Sequence, residues 1–308
     1  MSTSPPRGDR LRRYIREVEL PERSRHVVRS RAETIVRKGA FVGSVIEHRS
    51  FMGRTMEHAR THIEQIERDQ KSVSNGTLFL ADQLHNPKGR FTRQWHAPLG
   101  GLWGSMIYVS TLLPDSRLLL PLAVGISCCE SLHRIGVDGA ELRWINDVLV
   151  DGNKIAGILM EGFYGTFSKE EYTLIVFGIN INNNEFPAAL RGSAVSAGMY
   201  LGHPVDLEVF TCCFLAKLSW NLGLLHHEED CFLSGGEWSE RQPNHPLVER
   251  WRQLSNTIGR RVLFGFDVVK SPQYQATVTG ISATGGLQLR LDDGTETVEH
   301  SGEIRYLD

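Results

Sequence analysis

Two apolar runs, 140–150 (AELRWINDVLV) and 155–163 (IAGILMEGF), flank the segment Asp151-Gly152-Asn153. An Asp-Gly pair between such runs is a strong short-range hairpin signal, because both residues tolerate the positive φ that a tight turn needs. The chain must therefore fold back on itself here. A third apolar run, 172–180, follows within ten residues and extends the hairpin into a meander. Shorter β-prone runs at 77–81 and 102–113 add strands upstream.

Helical spacing marks three further segments. Met56, Ala59, Ile63 and Ile66 recur along 53–72; a second helix is expected over 118–135, ending at Gly136; a third over 205–227 carries Leu207, Phe210, Phe214, Leu218 and Leu222. From 258 to 308 the texture changes to short alternating runs with turns at Gly265, Ser271-Pro272, Gly285-Gly286 and Asp292-Asp293-Gly294. That pattern predicts a small β-barrel. The fold class is α+β: a mixed, largely antiparallel sheet with helices packed against it, followed by the barrel. The expected organisation is a basic arm at 1–40, a catalytic-sized body at 41–235 and the barrel at 258–308.

Charge restricts the function classes. The net charge of the 308-residue chain is -2, so the whole molecule carries no nucleic-acid footprint. Residues 1–38 hold 11 Lys/Arg against 5 Asp/Glu. Charge runs of this kind are usually solvated faces, and a solvated helical arm is the preferred reading. The five cysteines, two adjacent pairs and a single one, form no C-x-x-C. They read as reduced, mostly buried small side chains rather than a disulfide framework or a structural zinc site. No signal peptide is visible, and the apolar stretch 118–129 is too short to span a bilayer. A cytoplasmic protein without membrane contact is expected.

Three polar segments interrupt the apolar runs. The loop Lys88-Gly89-Arg90-Phe91-Thr92-Arg93-Gln94-Trp95 combines fixed cations, a glycine that permits close approach, and a terminal aromatic. Those are the parts a phosphate-handling loop requires. Asn146 and Asp147 lie inside an apolar strand, where each must find a partner. Lys154 stands one step past the hairpin, a position from which an ammonium can reach across the sheet face. Phe177-Gly178-Ile179-Asn180-Ile181-Asn182 ends a strand in glycine and repeated asparagine, which suits a ligand-contact turn. His58 and His62 sit at i, i+4 without the glutamate of an H-E-x-x-H site and read as surface histidines.

Taken together, these segments resemble biotin protein ligases of the biotin/lipoate ligase family. Residues 79–95 resemble that family's Gly/Arg-rich adenylate loop ending in Trp. Residues 143–161 resemble its K-W-P-N-D segment followed by K-x-A-G-I-L-x-E. Residues 177–182 resemble its G-x-G-I-N turn, residues 194–205 its A-T-S-L segment, and residues 258–308 its C-terminal SH3-like domain. The resemblance covers about 40–308. It implies a class II synthetase-like catalytic domain that uses ATP and Mg²⁺ to activate biotin as its adenylate. A lysine on the biotin carboxyl carrier domain of a carboxylase would then take the acyl group. On this pattern Arg90, Lys154 and Asp147 are catalytic, while Lys88, Gly89, Arg93, Trp95, Asn146, Gly157, Gly178 and Asn182 bind acid and adenylate. No protein-held metal is implied, only Mg²⁺ with ATP. The resemblance also implies a monomer or homodimer. Residues 1–40 do not resemble the winged helix of regulatory members, so no DNA binding is expected.

The sequence departs from the family where the acid is read. Leu84 stands where the family carries Gln, and the expected D-S-T-N is replaced by Glu47-His48-Arg49-Ser50. Pro87 replaces the loop's first glycine. Two rival expectations follow: the same ligase chemistry on another carboxylate, such as lipoate or octanoate, or a non-catalytic binding protein on this fold.

Overall fold

The computed structural model of the protein describes residues 8–87, 89, 93–235 and 245–307. The helices are α1 (Gly8–Tyr14), α2 (Leu20–Arg23), α3 (Arg29–Lys38), α4 (Thr55–Arg68), α5 (Pro114–Arg117), α6 (Leu120–Arg134), α7 (Ala197–Leu201), α8 (Leu207–Leu233) and α9 (Pro246–Leu254). A π-helical turn, Ile15–Glu19, joins α1 to α2.

Seven strands form the main sheet: β1 (Ile46–Met52), β2 (Leu78–Leu84), β3 (Leu102–Val109), β4 (Ala140–Arg143), β5 (Asp147–Val150), β6 (Asn153–Tyr164) and β7 (Glu171–Ile179). Their order is β1-β2-β3-β7-β6-β5-β4. Only β1 and β2 run parallel, as the βα crossover through α4 requires. Five more strands, β8 (Arg261–Gly265), β9 (Tyr274–Ile281), β10 (Leu287–Leu291), β11 (Glu296–Glu299) and β12 (Glu303–Tyr306), form an antiparallel second sheet ordered β11-β10-β9-β8-β12.

Strand alternation divides the main sheet into two faces. Phe177, Ile175 and Ile179 of β7, with Ala156 and Ile158 of β6, face α6 and α8 in the larger core. Phe177 packs on Phe214 of α8 with ring centroids 4.8 Å apart. On the opposite face α4 covers Phe79, Ala81, Ile107, Tyr172 and Leu174 through Ala59 and Ile63. Burial of each such side chain contributes about 1.5–3 kcal/mol. Helix α4 stops short of the far end of that face. Trp103, Gly157, Leu159, Val176 and Gly178 are left as a floor lining an open cavity.

Three expectations are corrected. The run 140–150 is two strands, broken at 144–146, where Trp144 turns inward and donates its indole N–H to Gly285 O of the barrel (3.1 Å). The basic arm is solvated on one side only: most of its arginines are exposed, but Leu11, Ala32 and Ile35 are buried against the body, and Glu19 is 1% exposed. It reads as polar because its packing surface is narrow and its charges pair with the body. Strand β1 carried no clear alternation and was not anticipated. Helix α3 crosses α8 closely enough that a Cβ on Gly223 would strike the Ile35 carbonyl.

Helix α8, 27 residues, is long and apolar enough to cross a membrane by composition, yet it is a buried core helix here. Cys128, Cys129, Cys212 and Cys213 are buried and free, and Cys231 is exposed.

Candidate active site

The turn at Asp151-Gly152 takes positive φ at both residues, 50° and 76°, and sets β5 against β6. The register then slips: Val148 pairs Ala156, while Leu149 pairs Lys154. Ile155 is the extra residue. Strict alternation would have put Lys154 on the same face as Ala156 and Ile158, inside the core. The bulge turns it to the other face, beside Gly157. A Cβ on Gly157 would lie 3.1 Å from Lys154 Cε and 3.2 Å from Nζ.

Asp147, at the start of β5, supports this ammonium from behind. Lys154 Nζ approaches Asp147 Oδ1 at 2.5 Å as an ion pair outside hydrogen-bond alignment, while Arg143 donates to Oδ2 at 2.5 Å. Burial alone would raise this carboxyl; Lys154 and then Arg143 override it and hold its pKa at about 2. A carboxyl held so low stays ionised at neutral pH and is a poor proton acceptor. It stands against the Lys154 ammonium. Asn146 is paired locally, its Nδ2 donating to Ile158 O at 3.0 Å and its carbonyl accepting from Ile158 N at 2.8 Å. Its side chain still lines the cavity.

Gly157 and Gly178 face each other across β6 and β7. The Trp95 indole lies over the pair: a Cβ on Gly178 would meet Trp95 Nε1 at 2.8 Å, and one on Gly157 would meet the ring at 3.0 Å. Lys154 Nζ stands 5.2 Å from the centroid of that ring, within cation–π range. Trp95 Nε1 is buried without a partner among the described residues. With the indole on the floor, the cavity is about 100 Å³, below the 300–1,000 Å³ typical of ligand pockets.

The loop that carries Trp95 is closed at its base by Trp95 N donating to Pro87 O (3.0 Å) and Gly89 N donating to Arg93 O (2.9 Å). Arg93 lines the cavity and is held there by the barrel. It forks onto Glu303 (2.5 and 3.0 Å) and also reaches Asp267 (3.0 Å). The expected site residues Lys88 and Arg90 lie outside the described residues. Gly89 lines the cavity. Asn182 does not. Its amide exchanges two hydrogen bonds, each 2.8 Å, with the backbone of Val205, and it borders a neighbouring cleft of about 1050 Å³.

Two further residues stand in the cavity wall. Leu84 lines the cavity, and Thr55, 2% exposed, does so from the N-terminus of the 14-residue α4. Thr55 was missed because Arg54 gives no side-chain capping signal. Its position at the head of a periodic run was the available clue. Glu47, His48 and Arg49 do not line the cavity; they pair with His58, Asp82 and one another. His58 and His62 pack on Phe79, and among the described residues no His, Cys, Asp or Glu cluster could hold a metal.

Fold and site together define a biotin/lipoate-ligase type of domain with an appended β-barrel. Residues 55–182 match the family described as "Biotin/lipoate A/B protein ligase family". Among curated proteins it is similar to the bifunctional ligase/repressor BirA of Bacillus subtilis, 29% identical over 44% of this chain and 42% of that protein. The corresponding protein of Escherichia coli is 24% identical over 71% of this chain and 63% of its own length. The biotin–[acetyl-CoA-carboxylase] ligase of Paracoccus denitrificans is 28% identical over 45% of this chain and 59% of its own. The chain thus spans about half the length of the curated relatives it matches. In fold it is similar to the biotin protein ligase from Aquifex aeolicus in complex with biotin and ATP, with a TM-score of 0.65 at 22% identity, covering 85% of this chain and 98% of that one.

Proposed function

We propose that the protein is an ATP-dependent ligase that activates biotin as biotinyl-AMP and transfers it to a lysine of a carboxylase carrier domain. The observation that carries this reading is the bulge-directed Lys154 ammonium, held over the Gly157–Gly178 floor by Asp147. Joining a carboxylate to the α-phosphate of ATP brings two anions together. The principal task of the protein is then to place a fixed cation between them.

In the first step a carboxylate oxygen of the acid forms a bond to the α-phosphorus, and the α–β phosphoanhydride breaks to release pyrophosphate. In the second, the neutral carrier amine attacks the acyl carbon, the acyl–phosphate bond breaks, AMP leaves, and the amine sheds its proton to solvent. Lys154 neutralises the charge at the α-phosphate in both steps. Asp147 and Arg143 keep Lys154 aimed. Trp95 and Gly89 border the adenylate, and the cationic residues Arg90 and Lys88 of the same loop sequence are assigned to its phosphates on the family pattern. Mg²⁺ enters with the nucleotide, bound through its phosphates.

A second reading keeps the chemistry and changes the acid. Leu84 in the cavity wall supports it, because a site that reads a ureido head needs donors and acceptors where this chain offers an apolar side chain. ATP–pyrophosphate exchange with a panel of biotin, lipoate and octanoate tests both. Exchange with biotin alone supports the first reading; exchange with another acid alone supports the second; silence with all three removes the ligase assignment.

A further inference from the structure

A second charged cavity lies outside the site, on the helical side of the main sheet. It is about 910 Å³ in volume and opens between the N-terminal arm and helices α6, α8 and α9. Protein interiors hold few voids larger than a water molecule, so a space of this size is filled by solvent or by a ligand.

Its floor is apolar. Ile35 is fully buried, and the Trp220 ring, 4% exposed, carries the Arg23 guanidinium 5.1 Å from its centroid. Beneath the floor is a closed ionic cluster. Arg23 binds Glu19 (2.7 Å) and Glu130 (2.5 Å), and Lys217, 4% exposed, reaches Glu19 at 3.2 Å. These groups satisfy one another and fix the arm to the body.

The rim is different. Arg31 from α3, Arg134 from α6 and Arg250 from α9 converge on the opening, with side chains 44%, 52% and 41% exposed. Each spends only part of its five-donor guanidinium on protein partners: Arg31 on Glu228, Arg134 on Tyr14 and on Glu22 at 3.7 Å, and Arg250 on Glu130 and Gln253. The cavity wall holds five cationic side chains against two carboxylates, Glu22 and Glu130. Adding Glu19 and Glu228, which pair with these cations from outside the wall, still leaves the balance positive by one.

We propose that this cavity is a second ligand site, separate from the adenylation site, for a small organic anion whose apolar body lies against Val27, Val28 and Pro246 at the mouth while its carboxylate, phosphate or sulfonate meets the three rim arginines. Guanidinium groups arriving from three different elements match the several oxygens of such a group. The site needs the arm in place, since α3 supplies Arg31 and the exposed Val28 at the mouth.

The test is a fluorescence titration of the full chain with 1-anilinonaphthalene-8-sulfonate, an organic anion of this shape. A single saturable site is expected. It should weaken about tenfold or more in Arg134→Gln, through loss of one charge-assisted contact, and persist unchanged in Lys154→Ala, whose lesion lies across the sheet. Val28→Glu, at an exposed position that cannot disturb the core, should weaken it equally and carries the test alone if Arg134→Gln fails to fold. Melting temperatures identify folded variants. No saturable binding, binding that Val28→Glu and folded Arg134→Gln leave unchanged, or binding abolished by Lys154→Ala would each overturn the proposal.

Discussion

Lys154 and Asp147 meet because a single extra residue, Ile155, shifts β6 by one place against β5 and brings the ammonium within 2.5 Å of the carboxylate. Without that shift Lys154 would point into the core, where an ammonium costs several kcal/mol. The pair is therefore a property of the register rather than of the two residues' nearness in sequence.

Lys154→Ala is expected to cut pyrophosphate exchange by at least about 100-fold, the scale of losing one preorganised charge-stabilising donor. The circular dichroism spectrum should not change. Exchange within threefold of the parent chain would remove Lys154 from the chemistry.

Acid should expose the Asp147 pairing. Its folded pKa, about 2, lies below the ordinary carboxyl value near 3.9. The associated stability is complete above that ordinary value and is lost as pH falls through about 2. A shift of this size corresponds to about 2–3 kcal/mol. Urea unfolding of Asp147→Asn and the parent chain should differ by that much more at pH 5 than at pH 2. A pH-independent difference would mean the carboxyl is not held low.

The Arg93–Glu303 fork ties the loop to the barrel. Glu303→Gln should speed amide hydrogen exchange at Gly89 and Trp95, whose N–H groups close the loop. Because Arg93 is 40% exposed, a double-mutant cycle with Arg93→Gln is expected to give a coupling of only about 0.5–2 kcal/mol. Additive effects would show that the two side chains act independently.

Gly178→Ala puts a methyl group 2.8 Å from the Trp95 indole nitrogen. The ring must leave the floor, so pyrophosphate exchange should change several-fold while the melting temperature moves by only a few degrees. Retained kinetics would show that Trp95 moves freely off the glycine pair during turnover.

Thiol chemistry offers a check on the arm and core. Burial pushes the Cys128 thiol well above its usual value, Cys129 to about 12 and Cys212 to about 11. Only exposed Cys231 should react quickly with a disulfide reagent at pH 8, giving one thiol per native chain and five after denaturation. Rapid reaction of two or more native thiols would mean that α6 or α8 opens.

Much of the architecture was legible beforehand. The Asp151-Gly152 turn, the alternating runs of β6 and β7, the periodicity of α4 and α8, and the switch to short strands after 258 are local patterns, and local patterns carry the periods of helix and strand. The same patterns drew attention to Asp147, Lys154, Gly157 and Gly178. Their roles were less legible. The glycines were expected to bind acid and adenylate, and the Trp95 indole that lies over them was not expected there. Asp147 was expected among the catalytic residues, and its pairing with Lys154 and Arg143 came only from the tertiary structure.

What the sequence by itself determined is therefore the set of elements, their order and the residue types available for chemistry, since these depend on propensity and period over a few neighbours. Tertiary structure alone decided the rest. It set the register slip that aims Lys154, the pairing of Arg93 with Glu303 across 210 positions, the burial of a charged arm, and the arrival of Thr55 at the cavity wall. Each of these depends on which distant surfaces share a boundary, and burial and Coulomb energies along that boundary outweigh the weaker local preferences that a sequence displays.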